Sequence, residues 1–277
     1  MTDPYDTLMD HLAALAVEAV QGTETAAQVY WLAVAARQDV LPSAGALGSP
    51  QEAVTASWTL ERLLQHTHTT PELTLPDWAQ GLARQALAGV LQQRQWLEML
   101  APLPLRPEHT AAELARSAPA VLRWRDEYQP YLCDIRDTTL RLWHAVCRLY
   151  GPLPPALAAL SEEVVRGVVL FEAGLYFACH EYFETLWGRT GDAASNFYQG
   201  FIQIAVAMRH LESHNLRGAS ILLRAGIGRL QPYPAVYKGL PLAVWLQRLA
   251  ALLASLEALP SPTAYQFDPR YVPHMLN

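Results

Sequence analysis

Two proline clusters, at residues 102–107 (PLPLRP) and 151–155 (GPLPP), interrupt a chain whose apolar residues otherwise recur at helical spacing. Proline removes a backbone donor and pushes its preceding residue out of the α region, so neither segment can be helical. Elsewhere Ala and Leu dominate and β-branched runs are scarce, which favours helix over strand. The expected fold class is all-α. A helical N-terminal region covers 1–150, a helical bundle of four to five helices covers 161–260, and 261–277 is an extended tail whose aromatic content suits a strap packed over the body. Expected helices are 4–19, 25–40, 50–66, 76–100, 110–115, 118–125 and 131–150, with a loop at 43–50; after the second break come 161–186, 195–213, 216–231 and 241–258.

A hydrophobic content of 51% supports a substantial core, while 17% charged residues is lean. The helix surfaces are therefore expected to be covered by other helices or by a second subunit, as in a homo-oligomer. With a net charge of −6 and no Lys/Arg run, the chain lacks the footprint that neutralises phosphates, so nucleic acid is excluded as a partner. No apolar stretch reaches membrane-spanning length, and the first residues hold acids and no base before their apolar run, unlike a signal peptide. The expected location is cytoplasmic. The three cysteines form no C-x-x-C pair and read as small core residues in a reducing compartment.

The densest chemistry lies at 171–219. On one helix Phe177, His180, Glu184 and Trp187 follow i, i+3, i+7, i+10 spacing and so share a face, with Glu181 about 100° round on its flank. The aromatic residues at its ends imply that this face is buried. On the next helix Gln199, Gln203, Val206 and His210 share a face at i, i+4, i+7, i+11. Buried amides need partners, which His180 and Glu184 would supply if the two lines face each other across an antiparallel pair. Asn215 is the expected cap of a third helix, which Gly218 and Ala219, then Gly226 and Gly228, would let approach closely.

The pattern Phe171-x-x-Gly174, His180-Glu181-x-x-Glu184-x-x-Trp187, Gln199-Gly200-x-Ile202-Gln203-x-Ala205, His210, Asn215, Gly218-Ala219 and Leu230-x-x-Tyr233-Pro234 resembles the bacterial and archaeal family catalogued as domain of unknown function 309, over about 161–234. The resemblance implies a small helical bundle and brings no activity with it.

Three readings follow. The first is a module that binds a small ligand or a protein partner at a polar cleft of His180, Glu184, Gln203 and His210, with Trp187, Gln199 and Asn215 around it. The second is a metal-dependent hydrolase: a divalent metal on His180, Glu184 and His210, with His180, Glu181 and Glu184 as catalytic candidates and His214 nearby. HEYFE is not H-E-x-x-H, so a zinc-protease helix is not implied. The third is a structural network in which the polar groups satisfy one another and fix helix register. His66 and His68 read as loop histidines, His11 and His144 as core-edge residues, and the tryptophans as packing anchors.

Overall fold

The computed structural model describes residues 4–38, 75–99, 110–111, 113–114, 122–189, 192–259, 261 and 265–276. The expected loop at 43–50, the helix at 50–66 with Trp58 and His66, His68, and the proline run at 102–107 lie outside them. The chain divides into two compact units, Met1–Gly151 and Pro152–Asn277.

In the first unit, α1 (Pro4–Gln21) and α2 (Thr23–Gln38) precede α3 (Asp77–Gln80), α4 (Ala83–Ala88) and a π-helical turn at Gly89–Arg94. The expected helix at 76–100 is thus shorter and broken. The left-handed Gln95 (φ 56°) ends it, and the chain turns into β1 (Leu97–Met99). β1 pairs antiparallel with β2 (Leu122–Trp124), Leu97 opposite Trp124, where a helix over 118–125 was expected. Leu122 and Trp124 are buried on either side of Arg123, an alternation of period two that a strand satisfies. A 3-10 turn at Asp126–Tyr131 leads into α5 (Leu132–Tyr150). Trp31, Trp124 and Trp143 anchor the core. The Trp31 indole donates to the Ala83 carbonyl at 2.9 Å, giving its polar edge a buried partner. Cys133 and His11 are exposed, contrary to expectation, because both fall outside the buried stripes of their helices. His144 is half-buried, and burial holds its imidazole below its ordinary value.

In the second unit, α6 (Pro155–Ala158) leads to α7 (Glu162–Glu172), α8 (Tyr176–Trp187), α9 (Asp192–Glu212), α10 (Leu216–Leu230) and α11 (Leu242–Glu257). The expected helix over 161–186 is two helices. Gly174 at φ 72° takes the left-handed position after α7, where the Leu175 amide donates to the Leu170 carbonyl and the Gly174 amide to Phe171, a complete Schellman end. Helical periodicity runs straight through this break, which is why pattern alone missed it. The central α9 buries Phe197, Phe201, Ile204 and Met208, and a stack of rings links Phe183, Phe201, Trp245 and Phe171.

Small residues set how closely α9 and α10 pack. A Cβ at Gly200 would lie 2.6 Å from Leu230 Cγ, and one at Gly226 2.7 Å from Ile204 Cγ1 and 2.9 Å from the Gly200 carbonyl. Gly228, expected to serve the same purpose, faces open space. Beyond α10, Lys238 and Gly239 (φ 51° and 82°) turn the chain between Tyr237 and Leu240, whose amides and carbonyls bond reciprocally. Lys238 ion-pairs with Glu163, which also accepts the Tyr198 hydroxyl at 3.0 Å. The tail is a strap, with Val272 and Met275 buried and the Trp245 indole donating to the Pro273 carbonyl at 3.0 Å.

Two consequences are measurable. Gly226→Ala should lower stability by about 1–3 kcal/mol through overpacking, whereas Gly228→Ala should raise it by up to about 1 kcal/mol; thermal denaturation of both variants checks the pair. The Glu163 carboxyl is held below its ordinary value, chiefly by the hydrogen bond from Lys238. A depressed carboxyl stabilises the fold above its unfolded value and loses that contribution as pH falls through the folded one. The wild-type melting temperature should therefore drop more on acidification below about pH 4.3 than that of Glu163→Gln. The difference should be small, since the side chain is 40% exposed and solvent screens the pair.

Candidate functional site

The orientation of α8 is set by its inward face, where Tyr176, Ala178, Cys179, Tyr182 and Phe183 are buried. Phe183 fits against Gly167 of α7 so closely that a Cβ there would lie 2.2 Å from the ring. The Cys179 thiol donates to the Gly167 carbonyl at 3.5 Å, and burial pushes it well above the ordinary thiol range, so it is no nucleophile. Opposite this face the helix turns Phe177, Glu181, Glu184 and Gly188 outward. The stripe expected to be buried is therefore partly open: Phe177 is 37% and Trp187 40% exposed. Aromatic residues at the ends of a stripe had implied burial, but the true core stripe lies on the other side, through Cys179 and Phe183.

His180 sits at the edge of the outward face with 16% of its side chain exposed. Phe177 stacks on its ring at 5.7 Å with 29° between planes. The imidazole meets a carboxylate at each nitrogen: Glu184 Oε1 lies 3.1 Å from Nε2, one helical turn on, and Glu181 Oε1 lies 3.2 Å from Nδ1. The second contact has ion-pair distance without hydrogen-bond direction, so Nδ1 is buried and makes no hydrogen bond. Glu181, expected on the flank, is thus part of the cluster. His180, Glu181 and Glu184 each offer one donor atom, all within 4.8 Å of one another, a set that could hold a divalent ion. Neither carboxylate has an Arg or Lys ion-pair partner among the described residues.

Of the residues expected on α9, His210 is not in this cluster. Gln199, Gln203 and His210 are half-buried, and Gln203 Oε1 meets no donor among the described residues. His210 turns to the end of its own helix. Asn215 Oδ1 accepts the Gly218 amide at 3.0 Å, capping α10 as expected, and this fixes which end of the side chain carries the NH2 group. That group lies 3.1 Å from His210 Nδ1, which must accept, so the ring carries its proton on Nε2. Among the described residues His210 lies outside the cluster of His180, Glu181 and Glu184. Gly218 makes room for the arrangement, since a Cβ there would lie 2.7 Å from Asn215 Nδ2 and 3.1 Å from His210 Cδ2. His214 holds the left-handed position (φ 59°) of a second Schellman end, with the Asn215 amide donating to the His210 carbonyl at 2.8 Å.

One polar group escaped sequence reasoning. Glu172, only 7% exposed, accepts the Met275 amide at 2.7 Å and faces His274 Nδ1 at 2.8 Å, clamping the tail. A glutamate at the end of a helix, about a hundred residues from its partners, carries no local signal of this role.

A family model described as Domain of unknown function (DUF309) matches residues 164–222, from α7 into α10. The match takes in His180, Glu181 and Glu184 and stops short of the Leu230-x-x-Tyr233-Pro234 element. Neither the curated proteins nor the solved structures contain a match to the chain. Among the described residues, no helix is long and apolar enough to cross a membrane.

Replacing Asn215 by Ala should cost about 1 kcal/mol of stability through loss of the cap. It should also release His210 Nδ1, so that the imidazole nitrogen resonances of His210 lose their single-tautomer pattern.

Proposed function

We propose that the second unit is a binding module whose ligand includes a divalent metal ion, held on the outer face of α8 by the His180, Glu181 and Glu184 cluster. The observation that carries this reading is the convergence of one imidazole and two carboxylates within 4.8 Å on a half-exposed surface. Nitrogen and oxygen donors of this kind suit first-row divalent ions such as Zn²⁺, Ni²⁺ or Co²⁺. A cation also answers the charge of the face, since both carboxylates are directed at His180 and have no basic ion-pair partner among the described residues. Half-exposure lets an ion enter without reorganising the core, and the exposed rings of Phe177 and Trp187 give a bound molecule apolar surface on the same face.

Binding is favoured over metal-dependent hydrolysis by the state of His210. It lies against Asn215, outside the His180, Glu181 and Glu184 cluster, so the three-residue hydrolase set has less support than the cluster itself. A purely structural network is disfavoured by Gln203, whose buried Oε1 such a network would satisfy.

Calorimetric titration of the metal-free chain with Zn²⁺ should show one ion per chain. His180→Ala and Glu184→Gln should each weaken binding by more than about tenfold while keeping the wild-type circular dichroism. No heat of binding, and no zinc retained after dialysis, would overturn the proposal.

A further inference from the structure

The two carboxylates beside His180 are not equivalent, and the difference assigns them separate tasks. This inference rests on the metal reading above. Nδ1 of the ring is buried, so an ion bound there would have to shed its water and sit against protein. Nε2 points to Glu184, whose side chain is 46% exposed, and an ion bound there keeps access to solvent. The i, i+4 spacing of His180 and Glu184 brings a nitrogen and an oxygen to one ion from a single helix face. At the other edge of the ring, Glu181 Oε1 is 3.2 Å from Nδ1, near enough for a hydrogen bond once the two groups are aligned. Metal-bound imidazoles characteristically donate their second N–H to such a carboxylate, which fixes the tautomer and strengthens the donor.

We infer that His180 Nε2 and Glu184 hold the ion, which displaces the proton that Nε2 donates to Glu184 in the free chain, while Glu181 is a positioning residue that favours the ring proton on Nδ1 once the ion is bound. Phe177, stacked on the ring at 5.7 Å, limits its rotation and completes the mounting. Two protein donors leave the ion with several open positions facing solvent. The open positions take water or the oxygen atoms of an anionic ligand, such as a carboxylate or phosphate.

The test uses the full chain, uniformly labelled with ¹⁵N and titrated with Zn²⁺, with the His180 ring nitrogens as the readout. Zinc should attach at Nε2 with the ring proton on Nδ1. Glu181→Ala should weaken zinc binding by about 10–100-fold, and Glu181→Asp should recover most of the loss. Thermal denaturation should show both variants folded, as expected for a side chain that is 42% exposed. Attachment at Nδ1, wild-type affinity in Glu181→Ala, or no recovery in Glu181→Asp would each overturn the inference. If zinc binding depends on His180 and Glu184 but not on Glu181, only this assignment falls. If the wild-type chain binds no zinc, the metal reading itself falls with it.

Discussion

The ring of Phe183 fills the space that any side chain at position 167 would need. That contact fixes the rotation of α8 about its axis, and the chemistry of the second unit depends on it. With Phe183, Cys179 and Tyr176 turned inward, helical geometry leaves Phe177, Glu181 and Glu184 facing out and His180 on the boundary between core and solvent. A histidine in that position can keep one nitrogen dry and the other within reach of solvent. The partition between Nδ1 and Nε2 is thus inherited from packing several residues away.

Backbone proximity does similar work between α9 and α10. The absence of side chains at Gly200 and Gly226 lets the two helices pack closely, and the left-handed residue at position 214 turns the chain sharply from one into the other. His210 is caught in this turn and spends its Nδ1 on Asn215. The polar line that runs along α8 and α9 in sequence is therefore split in space. One part is a half-exposed cluster of His180 and two carboxylates, and the other is the helix junction that Asn215 caps. These parts answer to different physical demands: charge and access for the first, satisfied backbone groups for the second.

Much of this architecture was legible in advance. Helix-forming composition and proline breaks are local signals, and they located α1, α2, α5 and α9 to α11 to within a few residues. The capping role of Asn215 was equally local. What escaped were features decided by contacts distant in sequence. The β1–β2 ribbon joins three-residue segments whose alternation is too short to outweigh the helix-favouring Ala and Leu around them. The break at Gly174 interrupts a periodic pattern without disturbing it. In the site, His180 and Glu184 were identified from spacing, but spacing alone could not say which side of α8 faced the core. Phe177 and Trp187 pointed the wrong way because aromatic residues are usually buried. With Cys179 and Phe183 facing the core, Glu181 lies in the cluster and not on its flank.

The clamp between Glu172 and the tail bears on how the second unit is made. Glu172 closes α7, yet its partners at 274 and 275 are about a hundred residues further along the chain. A ribosome adds these residues after those of α7 to α11, so for some seconds the carboxylate is left without them. Val272 and Met275, both buried, likewise follow the helices of the unit. Until then the nascent unit has its helices but lacks the cover over Trp245. The contact that Pro273 makes with Trp245 is therefore formed after the helices it rests on.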